Sequence, residues 1–227
     1  MKYENIYKAI FLSRPNRFIA YVELAGERQT VHVKNTGRCR ELLQEGAEVY
    51  LERAENPDRK TQYDLIAVQK GERLVNMDSV APNKAVKEWM ESGSFLDNIQ
   101  RVRPETTYKG SRFDFYVETE KEKIFMEVKG VTLENDGIVS FPDAPSERAV
   151  KHVRELIEAV RDGYKAYIMF VIQMTDVSYF KPNDSTHPEF GRALREAVNE
   201  GVEILAYDCN VRENEMTICS PVEVRLW

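Results

Sequence analysis

The sequence predicts two domains of different class, a small β-barrel over residues 1–80 and an α/β domain over residues 81–227. Three observations lead there. Residues 5–69 hold several short apolar runs separated by turn residues, with one short helix-like segment. Residues 146–209 alternate helix-like and strand-like segments. Between them, residues 111–130, SRFDFYVETEKEKIFMEVKG, read as a hairpin with carboxylates set inside apolar runs.

A chain of 227 residues is long enough to bury one large core or two small ones. With 42% hydrophobic and 31% charged residues it reads as a soluble globular protein. No apolar run approaches the roughly 20 residues of a membrane span, and MKYENIYKAIFLS lacks the pattern of a signal peptide. A cytoplasmic protein without membrane association is expected. Cys39, Cys209 and Cys219 suggest neither a disulfide framework nor a zinc cluster. Cys39, between Arg38 and Arg40, reads as a small buried hydrophobe rather than a thiol of lowered pKa. The net charge of −6 excludes a uniformly basic nucleic-acid coat but leaves room for a local basic patch. Residues 1–80 carry a net +1 and residues 81–227 a net −7.

In the first part, residues 5–12, 18–24, 29–34, 48–53 and 63–69 read as strands. Arg14-Pro15-Asn16-Arg17 and Ala25-Gly26-Glu27 punctuate them as turns. Residues 38–43 predict a short helix stopped by Gly46. This pattern suits an OB-like barrel, with a plain small β domain as the alternative. Tyr3, Tyr7, Phe11, Phe18 and Tyr21 supply core residues or a base-stacking platform.

Residues 71–83 read as a link. A helix is expected over residues 84–91, capped by Asn83. Residues 95–102 stay ambiguous, and a strand begins near residues 106–108. The two strands of the hairpin follow, with their turn near residues 120–122 and Gly130 closing the second. Asn135-Asp136-Gly137 marks a turn with short strands on both sides. Ser146 caps a helix with an apolar stripe through Ala149, Val153, Leu156, Ile157 and Val160. Residues 165–173 are nearly all apolar, as in a strand covered on both faces. A helix over 188–200, a strand over 202–209 and a terminal strand or hairpin complete the chain.

The chemistry concentrates on the hairpin. A strand has a side-chain period of two, so Glu127 and Lys129 share a face opposite Val128. Asp114 lies on the neighbouring strand. Two carboxylates near one point form an oxygen-donor set suited to Mg2+ or Mn2+. A lysine beside them can orient water or steady charge on a phosphate. A carboxylate followed by E-x-K on the next strand resembles the metal-dependent nuclease superfamily written PD-(D/E)xK. The bland alternative is a solvated sheet face. Glu105 is a candidate third carboxylate, and Arg112, Lys151 and His152 are candidates for holding a phosphate. Asp143 either fixes its loop or touches a ligand. In the first domain, Asn35, Thr36, Gly37, Arg38 and Arg40 form a compact polar group that can cradle a phosphate, or simply a turn.

Longer stretches carry a second resemblance. They are NTGRCREL at 35–42, Asn76 and Asn83, RPETTYKGSRFDFYV at 103–117, FMEVKGVTL at 125–133, FPDAPSERAVKHVRELIEAV at 141–160 and HPEFGRALREAVNEGVEILAYDC at 187–209. In this order, over nearly the full length, they resemble the sugar fermentation stimulation protein family. Ala149-Val150 departs from the family's frequent glycine before the Lys-His pair. The resemblance implies a DNA-binding protein linked to regulation of sugar catabolism, with an OB-like domain joined to a nuclease-like α/β domain. It implies that Asp114, Glu127 and Lys129 match the nuclease signature, with Glu105 a further family glutamate.

The resulting expectation is a DNA-binding protein whose Asp114, Glu127 and Glu105 hold Mg2+ or Mn2+ and whose Lys129 assists phosphodiester hydrolysis. RNA is kept as an alternative partner, and a homo-oligomer is left open. The competing reading is a regulator that keeps the nuclease fold without turnover. No sequence feature specifically supports an enzyme acting on sugars.

Overall fold

A computed structural model describes residues 1–227. The first part is a closed barrel built from β1 (Ile6–Ser13), β2 (Ile19–Leu24), β3 (Glu27–Val33), β4 (Glu48–Arg53) and β5 (Tyr63–Lys70). Antiparallel neighbours run β3-β2-β1-β4-β5, and a parallel pairing of His32 with Asp64 and Val33 with Leu65 closes the ring. This is the OB-like topology the short-strand pattern predicts. Alternating residues such as Val31, Val33, Val49 and Leu51 are fully inside. β6 (Arg73–Asn76) extends the sheet by pairing with β5, so the segment expected as a link also carries a strand.

No helix forms over 38–43. Cys39 takes a left-handed φ of 45°, and only a single turn follows, with Leu42 and Leu43 N–H both bonded to Cys39 O. The carbonyls of Asn35, Gly37 and Arg38 accept from the Arg14 guanidinium instead of from helical amides. A distant side chain thus overrides a weak local propensity.

The second part begins with α1 (Ala81–Glu91), three residues earlier than expected. Pro82 sits in its first turn, where a missing N–H costs nothing, so Asn83 lies inside the helix and does not cap it. A mixed sheet follows in the order β15-β14-β12-β9-β8-β7. Its members are β7 (Arg101–Tyr108), β8 (Ser111–Glu118), β9 (Lys123–Val131), β12 (Lys165–Ile172), β14 (Glu203–Arg212) and β15 (Glu215–Pro221). The antiparallel β8–β9 hairpin turns at residues 119–122, and β9, β12 and β14 run parallel. β7 is longer than the short strand expected near residue 106. A small second sheet joins β10 (Glu134–Asn135), β11 (Ile138–Phe141), β13 (Tyr179–Pro182) and β16 (Glu223–Val224). β13 has no counterpart in the sequence reading.

Helices cover both faces of the main sheet. On one side lie α2 (Glu147–Arg161) and α3 (Pro188–Asn199), which meet Phe113, Phe125, Ile168 and Phe170. On the other lies α1, against Phe115, Met126, Val128 and Met169. β12 is buried from Ala166 to Ile172, as its unbroken apolar run predicts. Ser146 caps α2 by accepting the Ala149 N–H at 3.3 Å.

Asn76 stitches the two parts together. Its N–H donates to Gln173 O at 2.9 Å, its Oδ1 accepts from Gln173 Nε2 at 3.0 Å, and its Nδ2 donates to Tyr3 OH at 2.8 Å. Gly130 sits inside β9, not at its end, and next to this seam. A Cβ there would stand 2.5 Å from Gln173 Oε1 and 2.9 Å from Pro82 Cγ. Gly130→Ala is therefore expected to cost about 1–3 kcal/mol by overpacking. Urea unfolding measures it, and an unchanged midpoint would refute the close approach.

Candidate functional site

The β8–β9 ladder pairs Glu118 with Lys123 through Phe115 with Met126. One step further the Val128 N–H donates to Asp114 Oδ2 at 2.8 Å. A carboxylate thus replaces a backbone carbonyl where the strands part, which holds Asp114 beside Glu127. Asn83 Nδ2 donates to the other oxygen, Oδ1, at 2.8 Å. The helix α1 thereby orients Asp114, a role sequence reasoning missed by treating Asn83 as a cap.

Glu127 is buried, at 3% exposure. Its Oε1 accepts from Lys129 Nζ at 2.5 Å and from His152 Nδ1. Arg148 Nε donates to His152 Nε2 at 3.4 Å, so the ring proton sits on Nδ1 and points at Glu127. Glu127 Oε2 is buried and has no partner. Burial works against ionisation of Glu127, but the His152 hydrogen bond and the Lys129 charge outweigh it and hold the carboxyl below its ordinary pKa. Burial and the neighbouring Glu127 charge raise Asp114 above its ordinary value, despite the bonds from Val128 and Asn83. The pair has one unfilled acceptor, and at Asp114 the hydrogen bonds do not offset burial and the neighbouring charge. Oxygen donors of this kind suit a hard divalent cation.

The other expected residues are placed variously. Glu105 lies across from Asp114, between the paired residues Pro104–Phe115 and Thr106–Phe113, where its left-handed φ of 51° interrupts the ladder. Its exposed carboxylate meets Arg112 Nη1 at 3.4 Å and makes no bond within the Asp114–Glu127 group. Arg112 lines an open cleft with Arg148, Lys151 and Arg154. Lys151 is exposed and donates to Gly110 O at 3.0 Å. His152, expected on a phosphate, is buried at 4% with both ring nitrogens engaged. Its place is behind Glu127, because α2 turns its apolar stripe and this ring inward together.

In the barrel, Asn35 Oδ1 accepts the Gly37 N–H at 2.7 Å, and the Arg38 N–H donates to Asp143 Oδ2 at 3.2 Å. Asp143 therefore fixes the loop. Thr36, Gly37, Arg38 and Arg40 line one groove together with Arg14 and Arg17. The two last lay in a segment read only as turn punctuation; two arginines flanking Pro-Asn were the available signal. Burial pushes the Cys39 thiol up to about 12, which fits the inert reading. Tyr3 and Phe11 are core, Tyr7 and Phe18 are exposed, and Tyr21 carries Arg28 on its ring face at 4.0 Å.

A further cluster had no sequence signature. Glu147, His187 and Glu189 place three donor atoms within 4.8 Å of one another, where α2 and α3 begin side by side. The set is capable of coordinating a divalent metal. In this arrangement Glu189 also meets Arg154 Nη2 at 2.7 Å, and His187 Nδ1 accepts the Ser146 N–H. No helix is long and apolar enough to cross a membrane.

An OB-like barrel followed by an α/β domain with Asp114 and Glu127-x-Lys129 on adjacent strands defines a two-domain protein with a PD-(D/E)xK-like second half. Residues 80–215 match the sugar fermentation stimulation protein RE domain, and residues 12–77 match the SfsA N-terminal OB domain. The chain is 59% identical over 226 residues to the sugar fermentation stimulation protein homolog of Ruminiclostridium cellulolyticum, covering 100% of both. It is 56% identical to that of Clostridium beijerinckii, again covering 100% of both. The solved structure of Pyrococcus furiosus SfsA in complex with Ca2+ superposes with a TM-score of 0.91 at 29% identity, covering 99% of this chain and 98% of the other. The chain belongs to the sugar fermentation stimulation protein family.

Proposed function

We propose that the protein binds DNA and hydrolyses phosphodiester bonds at a divalent-metal centre held by Asp114 and Glu127. The observation that carries this reading is Glu127 Oε2, a buried carboxylate oxygen without a partner beside a second, half-buried carboxylate. The Ca2+ in the solved relative supports it, since that ion is a hard cation that selects oxygen ligands. Mg2+ or Mn2+ in this place supplies a nucleophile at neutral pH and offsets charge on the phosphate.

The chain's own residues do the rest. Asn83 and the Val128 N–H fix Asp114 through separate oxygens. His152 and Lys129 share Glu127 Oε1 and leave Oε2 free. Lys129 is 16% exposed at its side chain, enough to face a bound phosphate and steady developing charge. Glu105, exposed on the adjoining strand, adds an outer carboxylate, and Arg112 and Lys151 hold the backbone of the substrate.

His152→Gln is expected to lower Mn2+ affinity by about 10–100-fold through loss of the orienting contact. Calorimetric titration measures it. Unchanged affinity would remove His152 from the site.

The deciding experiment incubates labelled single- and double-stranded DNA and RNA with Mg2+, Mn2+ or EDTA, each beside an Asp114→Ala protein. Cleavage that requires metal and is lost in the variant is the expected result. Binding without cleavage, equal in both proteins, favours instead a regulator that keeps the fold without turnover.

A further inference from the structure

The groove on the barrel has a charge pattern that the rest of the chain lacks. Arg14, Arg17, Arg38 and Arg40 converge there with Glu45 as the one acidic residue of the lining. Elsewhere arginines such as Arg59, Arg73 and Arg195 meet carboxylates. None of these four guanidiniums forms an ion pair with a carboxylate within 4.0 Å, in a protein of net charge −6. Gathering like charges costs free energy unless an anion offsets it.

Arg14 is not itself free for an anion. Its two terminal nitrogens donate to the carbonyls of Asn35, Gly37, Arg38 and Arg17, and it so holds the loop in one shape. It is a positioning residue. Arg17, Arg38 and Arg40 are exposed around it and line the groove.

The groove also leads somewhere. Thr36, Gly37 and Ala144 line it and equally line a second cleft in the seam between the domains. That second cleft reaches Gly130, the residue after Lys129, and Ser146, the cap of α2. The floor where the two meet is closed by the Arg38 N–H bond to Asp143. Its walls mix arginines with the apolar atoms of Leu12, Leu43 and Ala144. A duplex offers only phosphates and groove edges, whereas an unpaired strand also offers base faces to apolar and guanidinium surfaces.

We propose that the arginine groove and the interdomain seam form one continuous track for a single nucleic-acid strand, with Arg17, Arg38 and Arg40 holding its phosphates on the way to the Asp114–Glu127 centre. Only the last part, delivery to that centre, rests on the nuclease reading.

The test is a fluorescence-anisotropy titration of the full chain in EDTA, where no cleavage occurs. The probe is a labelled oligonucleotide of roughly 20 nucleotides, longer than the footprint of one OB domain. Arms compare a DNA strand, the RNA strand of the same sequence and the DNA duplex. Arg17→Gln, Arg38→Gln and Arg40→Gln are each expected to weaken strand binding by about three- to tenfold. Each should also flatten the slope of log K against log salt by about 0.7, the value for one lost phosphate contact on a single strand. Arg225→Gln, which removes a guanidinium paired with Glu223, is expected to bind as wild type does. Thermal melting confirms that the variants fold. The DNA and RNA arms identify the sugar. Track variants that bind as wild type does, or a duplex that binds as tightly as the strand, would overturn the proposal.

In Mn2+, Arg38→Gln should raise KM for strand cleavage and leave kcat in place, because its contact is the same in ground and transition states. Weakened binding with an unchanged KM would cut the track short of the centre. If no protein cleaves with any metal, the nuclease reading falls, and the titration in EDTA still decides the track.

Discussion

Glu127→Gln is expected to cut metal-dependent phosphodiester cleavage by roughly a thousandfold or more while leaving the metal-free protein folded. The substitution keeps the size and one acceptor oxygen of the side chain, so Lys129 and His152 retain a partner in place of Oε1. It removes the charge that a cation needs and puts an amide NH2, a donor that cannot ligate a cation, in place of the unpartnered Oε2. A charged ligand to a catalytic metal supplies several kcal/mol of transition-state stabilisation, and about 4 kcal/mol corresponds to a thousandfold in rate. The metal-free fold gains in one respect, since Asp114 loses the nearby negative charge that raises its pKa. Two measurements separate these effects. Single-turnover cleavage reads the chemical loss. Melting with and without Mn2+ reads binding, because a ligand that binds only the folded state raises Tm. Wild type should melt higher in Mn2+ and Glu127→Gln should not. A variant that cleaves within tenfold of wild type would exclude Glu127 from the centre.

Phe170→Ala should cost about 3–5 kcal/mol of stability, the range for emptying a core aromatic site. Phe170 is fully buried in the middle of β12. Its ring stacks on Phe180 with centroids 4.1 Å apart and meets Phe141 at 5.8 Å and Phe190 at 6.4 Å. These partners come from the small second sheet and from α3, so no single neighbour can move in to fill the space. For a chain of this size the loss corresponds to roughly 10 °C in Tm. The effect reaches the site, because Phe170 pairs in register with Lys129 on β9. Cleavage should persist at low temperature and fail well below the wild-type melting point. A loss under about 1 kcal/mol would show that this aromatic cluster collapses freely around the vacancy.

The parts of the fold that were legible in the sequence share one property: their side-chain pattern is set by local geometry. The barrel strands announce themselves by short apolar runs between turn residues, β12 by an unbroken apolar run, and α2 by its stripe and its Ser146 cap. The same holds for the hairpin that carries Asp114 and Glu127-x-Lys129, because alternation on a strand is a local rule. Where the reading failed, a distant group decided the outcome. Arg14 drew off the Gly37 and Arg38 carbonyls that a helix over 38–43 needed. Pro82 moved the start of α1 and freed Asn83 to hold Asp114. Gly130 looked like a strand end, but its lack of a side chain answers Gln173 and Pro82 pressed against it.

By itself the sequence determined the two-domain architecture, the family and the acidic pair with its lysine, since each is written in a spacing or a contiguous motif. Only the tertiary structure decided which side chains stand around that pair. Burial turned His152 from a surface contact into the support behind Glu127, left Oε2 without a partner, and gathered arginines from two separate stretches into one groove. Contacts between residues far apart along the chain depend on how sheets and helices pack, and no local pattern encodes them.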